Sequence, residues 1–259
     1  AQTTPPDGCP LHINGKCINP LITAVPFLRI IPDARTAALG DAGIGASADP
    51  NAMHINSPKL VFADSKFAMA GSYSPWLRSL GLTDVFLAYL SGYYKLDKLQ
   101  TLGVGMRYFS LGNISFTDES GNPIRDGKPR EFELSLGYSR LLAENFSAGI
   151  NGKFIYSNLA AGQVVESTDI FAGTAFAADL SLTYRKPIKM GETPTVLTLG
   201  AAFTNIGSKI TYTKSINKDF LPANMGIGAG WEFNLDEHNS LTLLADFNKL
   251  LVPTPTTTD

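Results

Sequence analysis

From Lys66 onward, apolar and polar residues alternate along most of this chain. The clearest stretch runs from Glu131 to Tyr156: E-F-E-L-S-L-G-Y-S-R, then L-L-A-E-N, then F-S-A-G-I-N-G-K-F-I-Y. Phe132, Leu134, Leu136 and Tyr138 share one parity, and Glu133, Ser135, Gly137 and Ser139 take the other. After the break, Phe146, Ala148, Ile150, Gly152, Phe154 and Tyr156 oppose Ser147, Gly149, Asn151, Lys153 and Ser157, with Ile155 as the exception. Successive side chains of a strand point to opposite faces, so each half has one apolar and one polar face. The connection is too short for a parallel crossover and predicts an antiparallel hairpin.

The same pattern predicts seven more strands, at 66–75, 84–96, 101–111, 174–186, 195–206, 223–235 and 240–251. Their apolar parities include Phe67, Met69 and Tyr73; Leu102, Val104, Met106 and Tyr108; Phe176, Leu180 and Leu182; and Leu241, Leu243 and Phe247. In 84–96 both parities are apolar, and Phe86, Ala88, Leu90 and Tyr94 are assigned outward. Arg107 falls on an inward parity. Residues 32–63 are small, rich in Gly and Ala and non-alternating, which predicts compact coil with a short helix near Asn51 to Ile55. Residues 1–31 are Pro-rich and read as irregular.

Strand length and loop length select a membrane barrel over a soluble sandwich. Each strand spans about 10 residues, what a tilted strand needs to cross a bilayer, whereas soluble strands average about 5 to 6. Connections near 77–83, 112–130, 158–173 and 207–222 are mostly long, and those near 97–100, 142–145, 187–194 and 236–239 are shorter. Long external loops opposite short periplasmic turns are the arrangement of bacterial outer-membrane barrels. The polar parities carry Ser, Thr, Asn and Gly, suited to a lumen. Aromatic residues cluster near strand ends: Trp76, Phe132, Phe154 and Phe176 on the long-loop side, and Tyr138, Phe146, Tyr184 and Phe233 on the other. These resemble interfacial girdles.

Composition narrows the classes further. Charged residues make up 17% of the 259 positions, below the roughly 25% usual in soluble domains. A net charge of −2 argues against a nucleic-acid surface. No run approaches the ~18 apolar residues of a membrane helix. Ala1-Gln2-Thr3-Thr4 reads as a mature end left after signal removal. Cys9 and Cys17, with Pro10 and Asn14-Gly15 between them, suggest a small disulfide loop in an oxidising compartment, two free thiols being the alternative. A zinc site with His12 lacks a local fourth ligand. Nine is an odd count, whereas bacterial barrels are even, so further strands are expected beyond Asp259.

Several blocks carry a family resemblance. They are A-R-T-A-A-L-G-D-A-G within residues 32–60, followed by Asp49, Asn51-Ala52 and Asn56; Y-S-P-W-L-R at Tyr73 to Arg78; G-Y-Y-K-L at Gly92 to Leu96; R-Y-F-S-L-G at Arg107 to Gly112; N-I-G-S-K-I at Asn205 to Ile210; and K-L-L-V-P-T at Lys249 to Thr254. With these the chain resembles the PorV/PorQ outer-membrane family of type IX secretion, itself similar to the FadL fatty-acid channels. The Pro-Trp-Leu-Arg and Arg-Tyr-Phe-Ser-Leu-Gly blocks point to its PorV branch. Where the family usually reads Asn-Pro-Ala-Lys, this chain has Asn56-Ser57-Pro58-Lys59, which puts the turn geometry there in question. The cysteine pair is not a family feature.

The resemblance implies an all-β, FadL-like antiparallel transmembrane β-barrel of fourteen strands, five of them beyond the residues given. It implies an exported tail at 1–20, a lumen plug at 21–63 and the barrel from 64 to 259. The plug motif would comprise Arg35, Leu39, Gly40, Asp41, Gly43, Asp49, Asn51, Asn56 and Pro58. The implied function is a part of the secretion machinery, not an enzyme, with no cofactor. It would receive secreted cargo by a C-terminal signal domain at the SprA (Sov) translocon barrel and pass it to a PorU-type attachment complex, all in outer-membrane lipid. The alternative is a FadL-like channel for hydrophobic solutes, which the polar inward parities weaken.

Asp49, His54 and Ser57 are hydrolytic residue types, but a triad requires a particular geometry that one short stretch does not supply; turn and cap roles are favoured. Arg35 with Asp41 and Asp49 is expected to form structural ion pairs in the lumen. Asp118, Glu119 and Asp126 lack the EF-hand spacing and closing Glu, and read as solvated loop. Ile114, Phe116 and Ile124 in one long loop, Ile170 and Phe171 in the next and Phe220 in the last are apolar residues among turn formers, expected to contact a partner.

Overall fold

The computed structural model describes residues 11–13, 16–18, 23–117, 120–160, 162–165, 168–191, 193–214 and 218–253. Cys9, the Cys17 side chain, Asp118 and Glu119 lie outside this description, and with them the expected disulfide.

Nine antiparallel strands form one curled sheet: β1 (Phe67–Pro75), β2 (Val85–Lys95), β3 (Gln100–Leu111), β4 (Arg130–Ala143), β5 (Phe146–Asn158), β6 (Gly173–Met190), β7 (Thr193–Gly207), β8 (Asn224–Asn234) and β9 (Ser240–Leu250). Each pairs with its sequence neighbour, so the sheet is a simple meander. This is the predicted all-β antiparallel architecture, strand for strand. The alternation explains its faces. Phe67, Leu136, Phe176 and Phe247 are exposed on the outward face, while Leu87, Ser139, Ser147 and Thr183 are buried on the inward one. The outward assignment in 84–96 also holds, because Leu87, Tyr89 and Tyr93 turn inward and Leu90 and Tyr94 outward. Ile155, the exception to its strand's pattern, is fully buried in a cluster with Phe27, Leu28, Leu87 and Ile210.

Three local features depart from expectation. The segment 187–194 is mostly strand: Pro187 pairs with Val196 and Met190 with Thr193, so β6 and β7 extend beyond the predicted bounds. Pairing with the following strand makes strand of residues that read as a connection. Within the long loops, Ile114–Thr117 pairs with Pro123–Gly127, and Val164–Val165 with Thr168–Asp169. Near the N-terminus, Leu11–Ile13 pairs with Lys16–Ile18, correcting the irregular reading of residues 1–31 at those positions.

Residues 23–63 lie against the inward face. They hold a 3₁₀ turn at Pro26–Arg29, helix α1 (Ala34–Ala38), helix α2 (Ala52–Ile55) and a 3₁₀ turn at Ser57–Phe62. Asp33 caps α1 by accepting from Thr36 N at 2.8 Å. The last turn packs on β3, β4, β5 and β6. At β8 the approach is backbone to backbone. A Cβ on Gly45 would run into the Ala229–Gly230 peptide, one on Gly230 into the Gly45 carbonyl, and those on Gly226 and Gly228 into Ile44. The inward glycines of β8 thus leave room for this segment. Gly45→Val is therefore expected to lower stability by about 1–3 kcal/mol through overpacking. An urea titration in detergent micelles checks this, with an unchanged midpoint as the contrary result.

Candidate functional site

The inward face carries a row of buried charges on four consecutive strands. Arg107 of β3 lies 3.3 Å from Glu133 of β4, Lys153 of β5 lies 3.8 Å from Glu133, and Lys153 lies 2.8 Å from Asp179 of β6. Their signs alternate and cancel. All four are almost fully buried, where an unpaired charge would be costly. A bulge in the β6–β7 pairing between Ala178 and Leu180 accompanies the Asp179 position. Opposite it, Asn205 adopts left-handed backbone (φ 59) and its N–H donates to Asp179 Oδ1 at 2.8 Å. Bulges re-aim side chains in this way. Lys153 Nζ also donates to Asn205 Oδ1 at 2.9 Å.

This row holds the inner segment in place. Arg107 Nη1 donates to the carbonyls of Phe27 at 2.9 Å and Ile30 at 3.2 Å, and Nη2 meets His54 Nδ1. A guanidinium only donates, so Nδ1 accepts and the imidazole proton sits on Nε2. Burial, then the Arg107 and Lys153 charges, hold the His54 pKa well below its ordinary value. Asn151 Nδ2 donates to Met53 O at 3.2 Å and Ser147 Oγ to Pro58 O at 3.0 Å. On the opposite wall, Asp246 Oδ2 of β9 accepts from the N–H groups of Gly43 at 2.8 Å and Ile44 at 2.9 Å. Lys59 Nζ donates to Gly43 O, and burial lowers its pKa to about 8. A cavity of about 200 Å³ remains between this segment and β7–β9, lined by Leu28, Ile44, His54, Asn224, Asp246 and Asn248 among others.

The motif residues divide by role. Asn56 is fully buried and donates to Ile44 O at 3.0 Å. The Asn51 side-chain oxygen accepts from Ser91 Oγ at 3.3 Å. Pro58 is the second residue of the last 3₁₀ turn, so the shifted proline is accommodated in the first turn of a helix, where its missing N–H has no intrahelical partner to lose. Gly40 and Asp41 both take positive φ, ending α1, and Leu39 and Asp41 are exposed. Arg35 pairs with Asp49 and reaches Ser47. Its side chain is 44% exposed, so the pair sits at the rim, and Asp41 takes no part in it among the described residues. Asp49 faces Arg35, His54 faces Arg107, and the buried Ser57 hydroxyl has no hydrogen-bond partner among the described residues, so the three hydrolytic residue types do not form one set. Glu133, Lys153 and Asp179 were not singled out from sequence. Their signal was there: alternating charges on a parity otherwise made of Ser, Gly and Asn.

At the long-loop end, Ile124, Phe171, Ile114 and Phe220 are exposed and Phe116 and Ile170 half-buried. Lys214 lies over the Phe171 ring at 5.5 Å and Lys209 over the Phe220 ring at 3.9 Å. The loop after β7 turns inward: Ile210 and Leu221 are buried with Phe27 and Leu28, and Phe220 O accepts from Ala24 N at 3.0 Å. The Phe171 N–H donates to Tyr212 O at 2.7 Å, linking two long loops.

A family model described as "Type IX secretion system protein PorV" matches residues 14–257. No curated protein matches the chain significantly. Among solved structures, the Pseudomonas putida toluene transporter TodX is similar at 12% identity over 83% of each chain, with a TM-score of 0.42.

Two outcomes follow from the buried charges. Lys153→Met leaves Asp179 without its cation, and breaking a buried pair costs about 3–5 kcal/mol. Lys153→Met with Asp179→Leu should recover much of that in urea unfolding. For His54, the folded pKa is depressed, so its contribution is present above the unfolded pKa of about 6.5 and is lost as pH falls below it. Relative to His54→Gln, the protein should lose about 2 kcal/mol between pH 7 and pH 5. Parallel pH dependences for the two proteins would contradict the buried neutral imidazole.

Proposed function

The chain belongs to the PorV family of type IX secretion system proteins, and from that premise we propose that it receives secreted cargo from the translocon and passes it to the surface attachment machinery. It is an outer-membrane component of that system. Cargo would be recognised through its C-terminal signal domain, the translocon would be SprA (Sov), and the recipient a PorU-type complex. The observation that supports a receiving role over a conducting one is the filling of the lumen. Residues 23–63 occupy the inward face and are tied to it from β3 at one side to β9 at the other. A substrate as large as a folded domain is then met outside the lumen.

The long-loop end, external by the rule of outer-membrane barrels, is the surface offered for that meeting. Exposed apolar residues at one end of a molecule mark interaction sites. Phe171 and Phe116 are the proposed anchors, because an aromatic ring offers much contact area at small entropic cost, with Ile114, Ile124, Ile170 and Phe220 around them. A pull-down from outer membranes with mass identification of partners tests the reading. Recovery of the translocon or of proteins bearing the signal domain supports it. Uptake of a labelled fatty acid by proteoliposomes, with no protein partner, would favour a channel for hydrophobic solutes.

Residues 21–63 act as a plug in this reading. Deleting them should turn a non-conducting protein into a pore in planar bilayers, and unchanged conductance would count against the plug. Replacing Phe116 and Phe171 by Ser should leave heat-modifiable gel migration unchanged. Partner capture should weaken, on the order of 2 kcal/mol if both rings are buried on binding. Normal co-purification would move the contact to the barrel wall.

A further inference from the structure

The outward face carries one column of side chains that is not uniformly apolar. Down the β4–β5 ladder the register pairs Arg130 with Asn158, Phe132 with Tyr156, Leu134 with Phe154 and Leu136 with Gly152. All share the outward parity, and each step is two residues, roughly 7 Å along a strand. The column therefore begins in a cation at the long-loop end, crosses an aromatic belt and ends in aliphatic wall near mid-height.

Both ends of the column open into a cavity. The upper one, about 210 Å³, is lined by Arg125, Lys128, Arg130, Asn158 and the Phe116 ring. Arg125 is held in place by Gln163, whose amide oxygen, turned toward the guanidinium, accepts from Nη2 and Nε at 3.2 Å. The neighbouring acid, Asp126, accepts from Ser115 Oγ at 2.6 Å and does not line the hollow. Three cations thus converge on a small polar hollow just above the Phe132–Tyr156 stack, whose rings are 5.0 Å apart. The lower cavity, about 700 Å³ and almost wholly apolar, is a groove in the outer wall that includes Leu134, Leu136, Phe154 and Phe176. Gly152 lies on its floor, and a Cβ there would meet nothing within 4 Å.

We propose that this column is a binding site for one phosphorylated lipid, its phosphate in the hollow formed by Arg125, Lys128 and Arg130 and an acyl chain along the groove over Gly152. The charge of the hollow selects an anion. Arginine forks and lysine ammonium groups are suited to phosphate oxygens. The position just beyond the aromatic belt is the headgroup level, and the continuous apolar column below it calls for an acyl chain attached to that phosphate. A soluble anion would use the hollow and leave the groove unused. The inference rests on the reading that the outward face meets lipid, and is independent of which cargo or translocon is engaged.

Native mass spectrometry of the full chain released from detergent micelles tests the site, with phosphatidylglycerol as probe. The protein should retain one phosphatidylglycerol in preference to diacylglycerol, and millimolar inorganic phosphate should not displace it. Lys128→Glu with Arg130→Glu should weaken retention roughly tenfold or more, as expected for losing charge-assisted contacts. Gly152→Leu, which fills the groove from the outside, should weaken it with the cations intact. Equal retention of diacylglycerol would overturn the role of the cations. Displacement by phosphate, or unchanged binding in Gly152→Leu, would reduce the hollow to a site for a free anion and overturn the lipid assignment. Heat-modifiable migration and partner co-purification from the same preparations separate failure of this site from failure of the membrane reading or of the secretion reading.

Discussion

Four charges that cancel inside the curled sheet hold its two layers together. Arg107, Glu133, Lys153 and Asp179 come from consecutive strands, and each meets at least one opposite charge. In low dielectric none is tolerable alone, so the set constrains the relative placement of β3 to β6. Arg107 then extends that constraint to the inner segment by donating to the Phe27 and Ile30 carbonyls and to His54. Those carbonyls belong to irregular backbone, which at membrane depth is tolerated where protein buries and satisfies it. Asp246 does the same from the other wall for Gly43 and Ile44.

The two faces of the sheet follow opposite rules because they meet opposite solvents. Outward, large apolar side chains stand exposed with aromatic rings in contact, as in the Phe132, Phe154 and Phe176 series. Inward, small and polar residues make space and hydrogen bonds for residues 23–63. Glycine serves both sides differently. Within β8 it admits the backbone of Gly45, while Gly152 of β5 leaves a depression in the outer wall. The interior is committed to packing and ion pairing.

Much of this was legible in the chain itself. Strand positions and the face each residue takes followed from a period of two, including the inward Arg107 and the exceptional Ile155. Motifs such as Arg35 to Gly43 and Arg107 to Gly112 carried the family. Less legible were elements that depend on distant pairing. Residues 187–190 read as part of a connection, yet they are strand because Thr193–Val196 lies opposite. Arg35, Asp41 and Asp49 read as one lumenal group, yet only Arg35 and Asp49 meet, at the rim, because positive φ at Gly40 and Asp41 turns the chain away.

Sequence by itself determined the architecture, the face each side chain takes and the family, because alternation and motif are local properties of a chain. Tertiary structure alone decided which inward charges meet, where His54 finds its partner, and that Arg125 and Lys128 of a long loop line one hollow with Arg130 at the head of the β4–β5 column. Those outcomes depend on register between strands, on a bulge at Asp179 and on a loop folding back toward β4. Parity says only which face a residue takes. Height and neighbour are set by hydrogen bonding between segments far apart in sequence, and the chemistry of the interior and of the outer wall depends on them.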